Sequence, residues 1–265
     1  MLPYLKLCHA SIADQGINVE HVVADGGSND GTANWLKENK GIISVSEKDN
    51  GMYNALNKAI NMAKGEIIGH LNCDEQYLPE TLKFVRSFFN NHPEIDFLAG
   101  DFMYIDSNVE LLAYRKAFHP RWQYFFSNYL YTNTCTLFYR RKIFVECRFD
   151  ETYRSIADAI FLYSVLKKGF NGAHVRRYFS VFTYTGSNLS LDPISEIEKT
   201  RFNKTLPIWY RISKPVFFIL FYIERLLNKT YSEKSDLKYS IFDKGNTARR
   251  VDKVKENLTF RVKLK

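Results

Sequence analysis

Cysteine is scarce in this sequence, and its few cysteines have no metal-binding spacing. The 265 residues contain four cysteines and no Cys-x-x-Cys pair. A zinc-binding motif is therefore absent, and nothing in their scattered positions supports a disulfide framework. We expect buried or incidental thiols in a reducing compartment. The four are Cys8, Cys73, Cys135 and Cys147.

Long hydrophobic runs are missing as well. No apolar segment reaches the ~18–20 residues that a helix needs to cross a bilayer, and no secretory signal pattern opens the sequence. We expect a cytoplasmic protein that at most touches the inner face of the plasma membrane. With 45% hydrophobic and 15% aromatic residues, the chain has ample material for a packed core, so the disordered class is excluded.

Charge of either sign is balanced over most of the chain. Residues 1–190 carry 20 basic and 20 acidic residues, whereas residues 191–265 carry 17 basic and 9 acidic ones. The net charge of +8 therefore belongs wholly to the C-terminal part. A neutral first part with a basic tail argues against nucleic acid as the main ligand and favours an anionic surface beside the domain.

This charge division suggests a domain in residues 1–190 and a basic extension in residues 191–265. Within the extension, residues 207–227 form an apolar or amphipathic pattern that predicts a helix. It is short for a membrane span and suits a helix that lies in the lipid interface with its basic residues toward anionic lipid. A helix packed on the domain or on a partner protein is an equal alternative.

Hydrophobic periodicity in the first part indicates an α/β fold. Short apolar strands alternate with helices, so we predict a mixed, mostly parallel sheet with helices on both faces. A turn at residues 106–108 predicts a hairpin that makes the sheet mixed. The predicted helices span residues 2–15, 32–40, 52–64, 79–91 and 159–168, and the first strands span residues 21–24, 42–45 and 67–71.

A cluster of polar residues follows the third predicted strand. It contains Asn72, Asp74 and Glu75. Ligands of open α/β sheets bind beyond the carboxyl ends of the strands, and carboxylate and amide oxygens suit Mg²⁺ or Mn²⁺ bridging to phosphate. The alternative is a polar turn at a helix N-terminus, where acidic residues are also favoured.

Two further acidic residues stand at predicted element ends. Asp25 follows the first strand and is succeeded by Gly26 in a glycine-rich turn, where the backbone can approach a ligand and the acid can accept from a base or sugar hydroxyl. Asp158 begins the helix predicted at residues 159–168, where capping that helix is its simplest role. The aromatic segment at residues 119–131 suits either a sugar-stacking surface or the core.

Four segments in register resemble family-2 glycosyltransferases with the GT-A fold. They are DGGSNDGT at residues 25–32, EKDNGMYNALNKAI at 47–60, GEIIGHLNCDEQY at 65–77 and FDETYRSIAD at 149–158. The order and spacing match over roughly residues 15–190. The likeness is greatest to bacterial enzymes that build capsule, exopolysaccharide or lipopolysaccharide chains.

The resemblance implies roles for individual residues. Asp74 and Glu75 would hold the metal on the donor diphosphate, and Asp158 would be the general base of an inverting transfer. The family more often has two Asp where this sequence ends its acidic cluster with Glu75, and a second acid where this sequence has Ile160. The nucleotide-sugar would contact Asp25, Gly26, Asp49, Asn50, Asn54, Asn72 and Asp74.

The resemblance also implies a first strand that this sequence lacks, because the chain opens inside the helix that follows it. The absence of a central strand would leave unpaired edges on its two neighbours. We expect either a start codon assigned too late or a truncated gene.

The leading hypothesis is an inverting, metal-dependent hexosyltransferase. It moves a sugar from a nucleoside diphosphate donor, with a uridine diphosphate sugar as first choice, to a glycan or lipid-linked acceptor in cell-surface polysaccharide synthesis. The alternative is a truncated, non-catalytic sugar-nucleotide-binding or assembly subunit. A nucleotidyltransferase ranks third, since the sequence lacks an evident phosphate-gripping glycine-rich segment with a nearby Lys or Arg.

Overall fold

The largest sheet has six strands within the residues that the structure describes. The structure is a computed structural model that describes residues 1–125, 132–185, 193–231, 238–244 and 248–253. The strands follow the order β3-β7-β5-β8-β4, and β6 pairs with the other end of β5. They are β3 (Ile67–Gly69), β4 (Glu75–Tyr77), β5 (Phe97–Ile105), β6 (Leu111–Arg115), β7 (Leu137–Arg140) and β8 (Gly172–Thr183).

Strand β5 is the centre of this sheet, and its side chains alternate between two hydrophobic clusters. Phe97 and Ala99 pack in the cluster that contains residues of the helices α3 (Met52–Met62) and α6 (Ala157–Lys167). Leu98 packs in the cluster that contains residues of α1 (Leu2–Ala13) and α4 (Thr81–Asn91). Successive strand residues face opposite sides, so helices cover both faces, as predicted.

The share of parallel strands is smaller than the sequence pattern indicated. Within the described residues only two pairs are parallel, β5–β8 and the pair of β1 (His21–Asp25) with β2 (Ile42–Ser46). The other pairs are antiparallel: β3–β7, β5–β7, β5–β6, β4–β8 and β9 (Lys238–Ile241) with β10 (Arg250–Lys253). A parallel pair needs a long crossover, and a short connection yields an antiparallel one. Strand β6 follows β5 directly through the turn at Asp106. The mixed α/β class is confirmed, and the expectation of a mostly parallel sheet is corrected.

A second, two-stranded sheet carries the glycine-rich turn. Strand β1 (His21–Asp25) runs parallel to β2 (Ile42–Ser46), and helix α2 (Thr32–Glu38) connects them. Its core is the contact of Leu36 and Ile42 with Leu5 of α1. Strand β3 ends the described six-stranded sheet, and β1 lies in the other sheet. Among the described residues, no strand pairs with the second edge of β3 or with the second edge of β1.

The C-terminal residues form helices and a hairpin that contact the rest of the chain. Helix α7 (Ile194–Thr205) is followed by α8 (Ile208–Leu227) and by the antiparallel strands β9 (Lys238–Ile241) and β10 (Arg250–Lys253). A short helix, α5 (Ile143–Glu146), follows β7. The predicted helix at residues 207–227 is confirmed. The predicted boundary at residue 190 and part of the aromatic segment, residues 126–131, lie outside the described residues.

Helix α8 contacts the rest of the described chain through one face. Tyr210 and Phe221 are buried, and Glu224 accepts hydrogen bonds from the Tyr124 hydroxyl at 2.6 Å and from Arg121 Nε at 3.1 Å. Within the part of the chain that the structure describes, no helix is both long and apolar enough to cross a bilayer.

Candidate active site

The glycine-rich turn after β1 holds Asp25 in a fixed orientation. Asp25 Oδ2 accepts a hydrogen bond from the Ser46 hydroxyl at 2.6 Å and one from the Ser28 amide at 3.1 Å. Partial burial raises the pKa of the Asp25 carboxyl, but the hydrogen bonds lower it by more than burial raises it. The pKa therefore lies below its ordinary value. The carboxylate is charged at neutral pH and can accept a hydrogen bond from a hydroxyl or an imide N–H.

Two glycines bring this turn against the segment that precedes α3. A Cβ atom on Gly26 would lie 2.6 Å from Asp49 Oδ2, and one on Gly27 would lie 3.4 Å from the Lys48 backbone nitrogen. Gly27 also has a φ of +82°, a conformation that favours glycine. The sequence-predicted residues Asp25, Gly26 and Asp49 are thus neighbours in the structure.

The segment before α3 is fixed by its own hydrogen bonds. Asp49 Oδ1 accepts from the Gly51 amide at 2.8 Å, and Asn54 Oδ1 accepts from the Asn50 amide at 3.5 Å. Asn54 Nδ2 donates to Glu151 Oε2 at 2.7 Å. The structure therefore places Asn50 and Asn54 together, and it joins Asn54 to the loop that precedes Asp158.

Helix α3 holds that loop at several points. Asn57 Nδ2 donates to Glu151 Oε1 and to the Phe149 carbonyl, both at 2.9 Å. Because these hydrogen bonds come from Asn57 and Asn54, the pKa of the Glu151 carboxyl is lowered. One helix therefore lies between the Asp49 turn and the segment that ends in Asp158.

Asp158 lies in the first turn of α6 and is half-buried. Its Oδ1 accepts from the Tyr53 hydroxyl at 3.2 Å and from the Ala159 amide at 2.8 Å. Burial raises the pKa of the Asp158 carboxyl, and the hydrogen bonds from Ala159 and Tyr53 oppose that rise without cancelling it. A carboxylate with a raised pKa is a better proton acceptor than an ordinary surface carboxylate.

The polar cluster after β3 separates into one accessible and one buried acid. Asp74 is half-buried, whereas Glu75 is fully buried on β4. The Asn72 amide donates to Glu75 Oε2 at 2.6 Å, and Asn72 Nδ2 donates to Oε1 at 3.3 Å. Burial, followed by the negative charge of Asp74, raises the pKa of Glu75 to about 8, and burial also raises the pKa of Asp74.

Among the described residues, no three His, Cys, Asp or Glu side chains converge to hold a metal ion. Magnesium sites on phosphate substrates often use only one or two protein carboxylates, with phosphate and water supplying the rest. The half-buried carboxyl of Asp74 suits such a site. Glu75 suits it less well, because both of its oxygens accept from Asn72.

Several residues that contact the predicted site residues were missed by the sequence reasoning. Ser46 contacts Asp25, and Tyr53 contacts Asp158. Glu151 joins α3 to the loop before α6. Ser46 ends the strand that follows Asp25, so the adjacent ends of two parallel strands could have indicated it. Tyr53 lies inside the segment at residues 47–60, where no local signal indicates a contact with Asp158.

Comparison with known proteins identifies relatives for most of the chain. The family model described as "Glycosyl transferase family 2" matches residues 2–158. A "PGL/p-HBAD biosynthesis glycosyltransferase" of Mycobacterium tuberculosis is 29% identical over 224 residues, covering 82% of this chain and 84% of the relative. Its namesake in Mycobacterium bovis matches to the same extent.

Solved structures share the fold at low sequence identity. The crystal structure of S. aureus TarS 1-349 in complex with UDP has a TM-score of 0.56 and 21% identity, and the alignment covers 68% of this chain. The complex of the same protein with UDP-GlcNAc has a TM-score of 0.58 and 19% identity over 71% of this chain. The alignments span 56% and 57% of the TarS chain. Because the sequence identities are only 21% and 19%, this likeness shows the fold alone.

Proposed function

The chain belongs to glycosyl transferase family 2, and we propose that it is an inverting hexosyltransferase. In this proposal it moves a sugar from a nucleoside diphosphate donor to a glycan or lipid-linked acceptor in cell-surface polysaccharide synthesis. The acceptor class is supported by the relatives, which are named for PGL/p-HBAD biosynthesis. The donor class is supported by the TarS structures that contain UDP and UDP-GlcNAc, so a uridine diphosphate sugar is the first donor to test.

The observation that carries the proposal is the setting of Asp158. Its carboxylate is half-buried at the start of α6, has a raised pKa and is oriented by Tyr53. The hydrogen bonds from Tyr53 and Ala159 both fall on Oδ1, so we assign Oδ2 to the acceptor proton. Asp158 would take this proton as the acceptor oxygen attacks the anomeric carbon, and the bond to the diphosphate would break on the opposite face.

The nucleotide end of the donor would lie along the turns that carry Asp25 and Asp49. The charged Asp25 carboxylate would accept a hydrogen bond from the base or the ribose. Gly26 would leave the backbone open to the ligand, with Asp49 beside it. Asn50 and Asn54, at the start of α3, would contribute amide groups to the same surface, and Asn72 would contribute one near the diphosphate.

The diphosphate would lie at the polar cluster after β3. Asp74 is the residue that we propose to hold a divalent cation there, with Glu75 as a supporting neighbour. A bound Mg²⁺ or Mn²⁺ would neutralise the charge that develops on the leaving diphosphate. The half-buried position of the Asp74 carboxyl would keep this electrostatic contact strong, because bulk water screens it less there.

Helix α8 adds a proposed contact with an anionic lipid surface, at the inner face of the plasma membrane. Its outer face carries exposed apolar side chains at helical spacing, among them Ile208, Ile212, Val216, Ile219, Ile223 and Leu227. The helix lies in the basic part of the chain, which carries 17 of the 37 Lys and Arg residues. An apolar helix face in a basic setting favours the interface of an anionic bilayer.

The direct test is a donor screen on the purified full chain. Release of nucleoside diphosphate is measured with a panel of sugar nucleotides, Mn²⁺ and mixed glycan and lipid-linked acceptors. We expect release with one nucleotide class that depends on the acceptor, and a product of inverted anomeric configuration by NMR. Binding of uridine diphosphate in calorimetry without turnover on any acceptor would contradict the enzyme and favour a non-catalytic binding subunit.

A further inference from the structure

Helix α7 grips the segment that leads into Asp158. Glu198 of this helix is 5% exposed, and its two carboxylate oxygens accept three backbone amides. Oε1 accepts from Arg154 at 2.6 Å, and Oε2 accepts from Ser155 at 2.9 Å and from Ile156 at 3.3 Å. These are the last three residues before α6, whose own N-cap residue, Ile156, provides no side-chain cap.

A buried carboxylate at this place has a clear physical role. The first amides of a helix lack partners inside it, and a negative charge at that end is stabilised by the helix dipole. Carboxylate oxygens that accept several backbone N–H groups form strong, charge-assisted hydrogen bonds. Of the three amides, that of Ile156 is the N-cap amide of α6, and those of Arg154 and Ser155 belong to the loop before it. Glu198 thus fixes the end of this loop and the start of α6 from another helix.

Other residues on the same face of α7 hold the same segment. The Ser195 hydroxyl is 2.5 Å from the Ser155 hydroxyl, and Arg201 Nη2 donates to the Thr152 carbonyl at 2.8 Å. The Arg201 guanidinium also lies 3.8 Å from the centre of the Tyr153 ring. Positions 195, 198 and 201 recur every three residues, so they share one side of the helix.

The segment is fixed from the opposite side by the residue that contacts Asp158. The Tyr53 hydroxyl, which donates to Asp158 Oδ1, also lies 3.1 Å from the Ser155 carbonyl oxygen. The single Tyr53 hydroxyl proton is therefore shared between Asp158 Oδ1 and the Ser155 carbonyl oxygen. Ser155 is held at its N–H by Glu198 and at its carbonyl by this shared hydrogen bond. A displacement of Ser155 would move the Asp158 carboxylate as well, because Asp158 follows closely at the start of α6.

We propose that Glu198 is a positioning residue that holds Asp158 in its reactive place by capping the segment at residues 154–156. The inference rests on the proposed function of Asp158 as general base. Glu198 itself touches no reacting atom. Its effect is transmitted through the backbone of Ser155 and Ile156 into the first turn of α6.

The test compares Glu198→Gln with Glu196→Gln. The amide that replaces the Glu198 carboxylate can accept with one atom only, and its NH₂ group would face a backbone N–H. Glu196 lies two residues away, is exposed and pairs with Lys199, so the same change there leaves the capped segment alone. Because a misplacement of about 1 Å can cost about 100-fold in rate, we expect kcat to fall roughly 10- to 100-fold in Glu198→Gln only.

Two readouts separate positioning from a merely structural role. The Kd for uridine diphosphate and the KM for the acceptor should stay within about twofold of wild type. In an Asp158→Asn background, Glu198→Gln should cause no further loss, since residues that act as a unit are not additive. Glu198→Asp keeps the charge but shortens the side chain, so its kcat should lie between those of Glu198→Gln and the wild type. If Glu198→Gln fails to fold, Glu198→Asp takes its place in the comparison with Glu196→Gln.

Amide hydrogen exchange tests the cap independently of turnover. Exchange at residues 154–156 should accelerate in Glu198→Gln and remain unchanged in Glu196→Gln. Unchanged exchange, or a kcat equal to that of Glu196→Gln, overturns the positioning role. If the wild-type chain shows no turnover with any donor and acceptor, the transferase proposal fails instead, and the exchange experiment still decides whether Glu198 holds the segment.

Discussion

The hydroxyl of Tyr53 donates a hydrogen bond to Oδ1 of Asp158 over 3.2 Å, although the two residues are 105 positions apart in the chain. Tyr53 lies in the first turn of α3, directly after the turn that contains Asp49 and Asn50. The same short helix therefore supports both the proposed nucleotide turn and the proposed base. A shift of α3 would therefore move both the proposed nucleotide turn and the Asp158 carboxylate.

Asp158→Asn should slow transfer by orders of magnitude and leave donor binding intact. The substitution keeps the shape of the side chain but removes the proton-accepting charge, and general-base catalysis typically contributes about 10²- to 10⁴-fold to the rate. We expect kcat to fall within that range while the Kd for uridine diphosphate changes less than twofold. Nucleoside diphosphate release and calorimetry measure the two quantities.

The matched control for this variant is Asp106→Asn, in the turn between β5 and β6. Asp106 Oδ1 accepts from the amides of Asn108 and Glu110, and the Asn oxygen can keep both bonds. We expect activity within twofold of wild type. An Asp158→Asn protein that is as active as this control would refute the role of Asp158.

Tyr53→Phe should move the acid limb of the pH–rate profile to higher pH. The Tyr53 hydrogen bond lowers the pKa of Asp158 against the larger, opposite effect of burial, so its loss raises that pKa further. A general base acts only when deprotonated, and activity falls as pH drops through its pKa. The limb should therefore shift upward by about one pH unit, which corresponds to a hydrogen bond of about 1.4 kcal/mol.

Tyr114→Phe serves as the comparison for Tyr53→Phe. The Tyr114 hydroxyl donates to the Tyr231 carbonyl at 2.6 Å, so this variant also loses a buried phenol hydrogen bond, but one far along the chain from Asp158. Its stability should fall by about 1 kcal/mol with an unchanged pH profile. If both variants keep the wild-type limb, Tyr53 does not tune Asp158.

The sequence allowed the helices and most strands to be predicted because their apolar periodicity is local. Helices α3 and α4 begin and end within two residues of the predicted limits. Strand direction was harder, because an apolar run such as Phe97–Ile105 looks the same in a parallel and an antiparallel pair. Only the connections between strands decide it, and several of these are short loops.

Within the candidate site, proximity between residues was predictable where its signal is confined to one segment. The neighbourhood of Asp25 and Asp49 depends on glycines that the sequence displays. The contact of Glu198 with the amides of Arg154 and Ser155 spans more than 40 residues and has no local pattern, since a Glu inside a polar helix usually faces solvent. Its role becomes visible only when the helices are packed.

Gly26→Ala should weaken donor binding. A Cβ at this position would lie 2.6 Å from Asp49 Oδ2 and 3.1 Å from its Cγ, so Asp49 or the turn must move. We expect the Kd for uridine diphosphate to rise about tenfold, equivalent to about 1.4 kcal/mol. Gly41→Ala is the control, because a Cβ there meets nothing within 4 Å. Equal affinities for the two variants would remove the Gly26 turn from the donor site.

Charged substitutions on the exposed face of α8 should release the protein from anionic vesicles. The double variant Ile212→Glu/Ile219→Glu places two charges where 73% and 59% of the side chains are exposed. Burial of an Ile side chain is worth about 1.5–3 kcal/mol, so co-flotation with phosphatidylglycerol-containing vesicles should fall at least about tenfold, with little change in stability.

Val145→Glu is the control for α8, because Val145 is 81% exposed on α5 and should leave flotation unchanged. Equal flotation of the wild type, the double variant and Val145→Glu contradicts lipid binding by α8. If the double variant instead changes the elution volume in gel filtration, the apolar face is a contact between copies of the chain.

Asp74 and Glu75 should differ in their response to substitution, although they are adjacent. Asp74→Asn removes the accessible carboxylate, so we expect the Mn²⁺ concentration for half-maximal transfer to rise at least about tenfold, the usual cost of disturbing a metal site. A chelator should stop transfer by the wild type, and added Mn²⁺ or Mg²⁺ should restore it. An unchanged metal requirement in Asp74→Asn would exclude Asp74 as the ligand.

Glu75→Gln should instead change how stability depends on pH, measured by urea unfolding in the presence of a chelator. Because the pKa of Glu75 is raised to about 8 in the folded chain, the folded state binds the proton more tightly than the unfolded state. This stabilisation is complete below the unfolded pKa of about 4.5 and is lost as pH rises toward 8, by at most about 5 kcal/mol. Glu75→Gln should show a flatter profile over this window. If it raises the Mn²⁺ requirement as strongly as Asp74→Asn does, both acids bind the cation and the buried position of Glu75 must change when the donor binds.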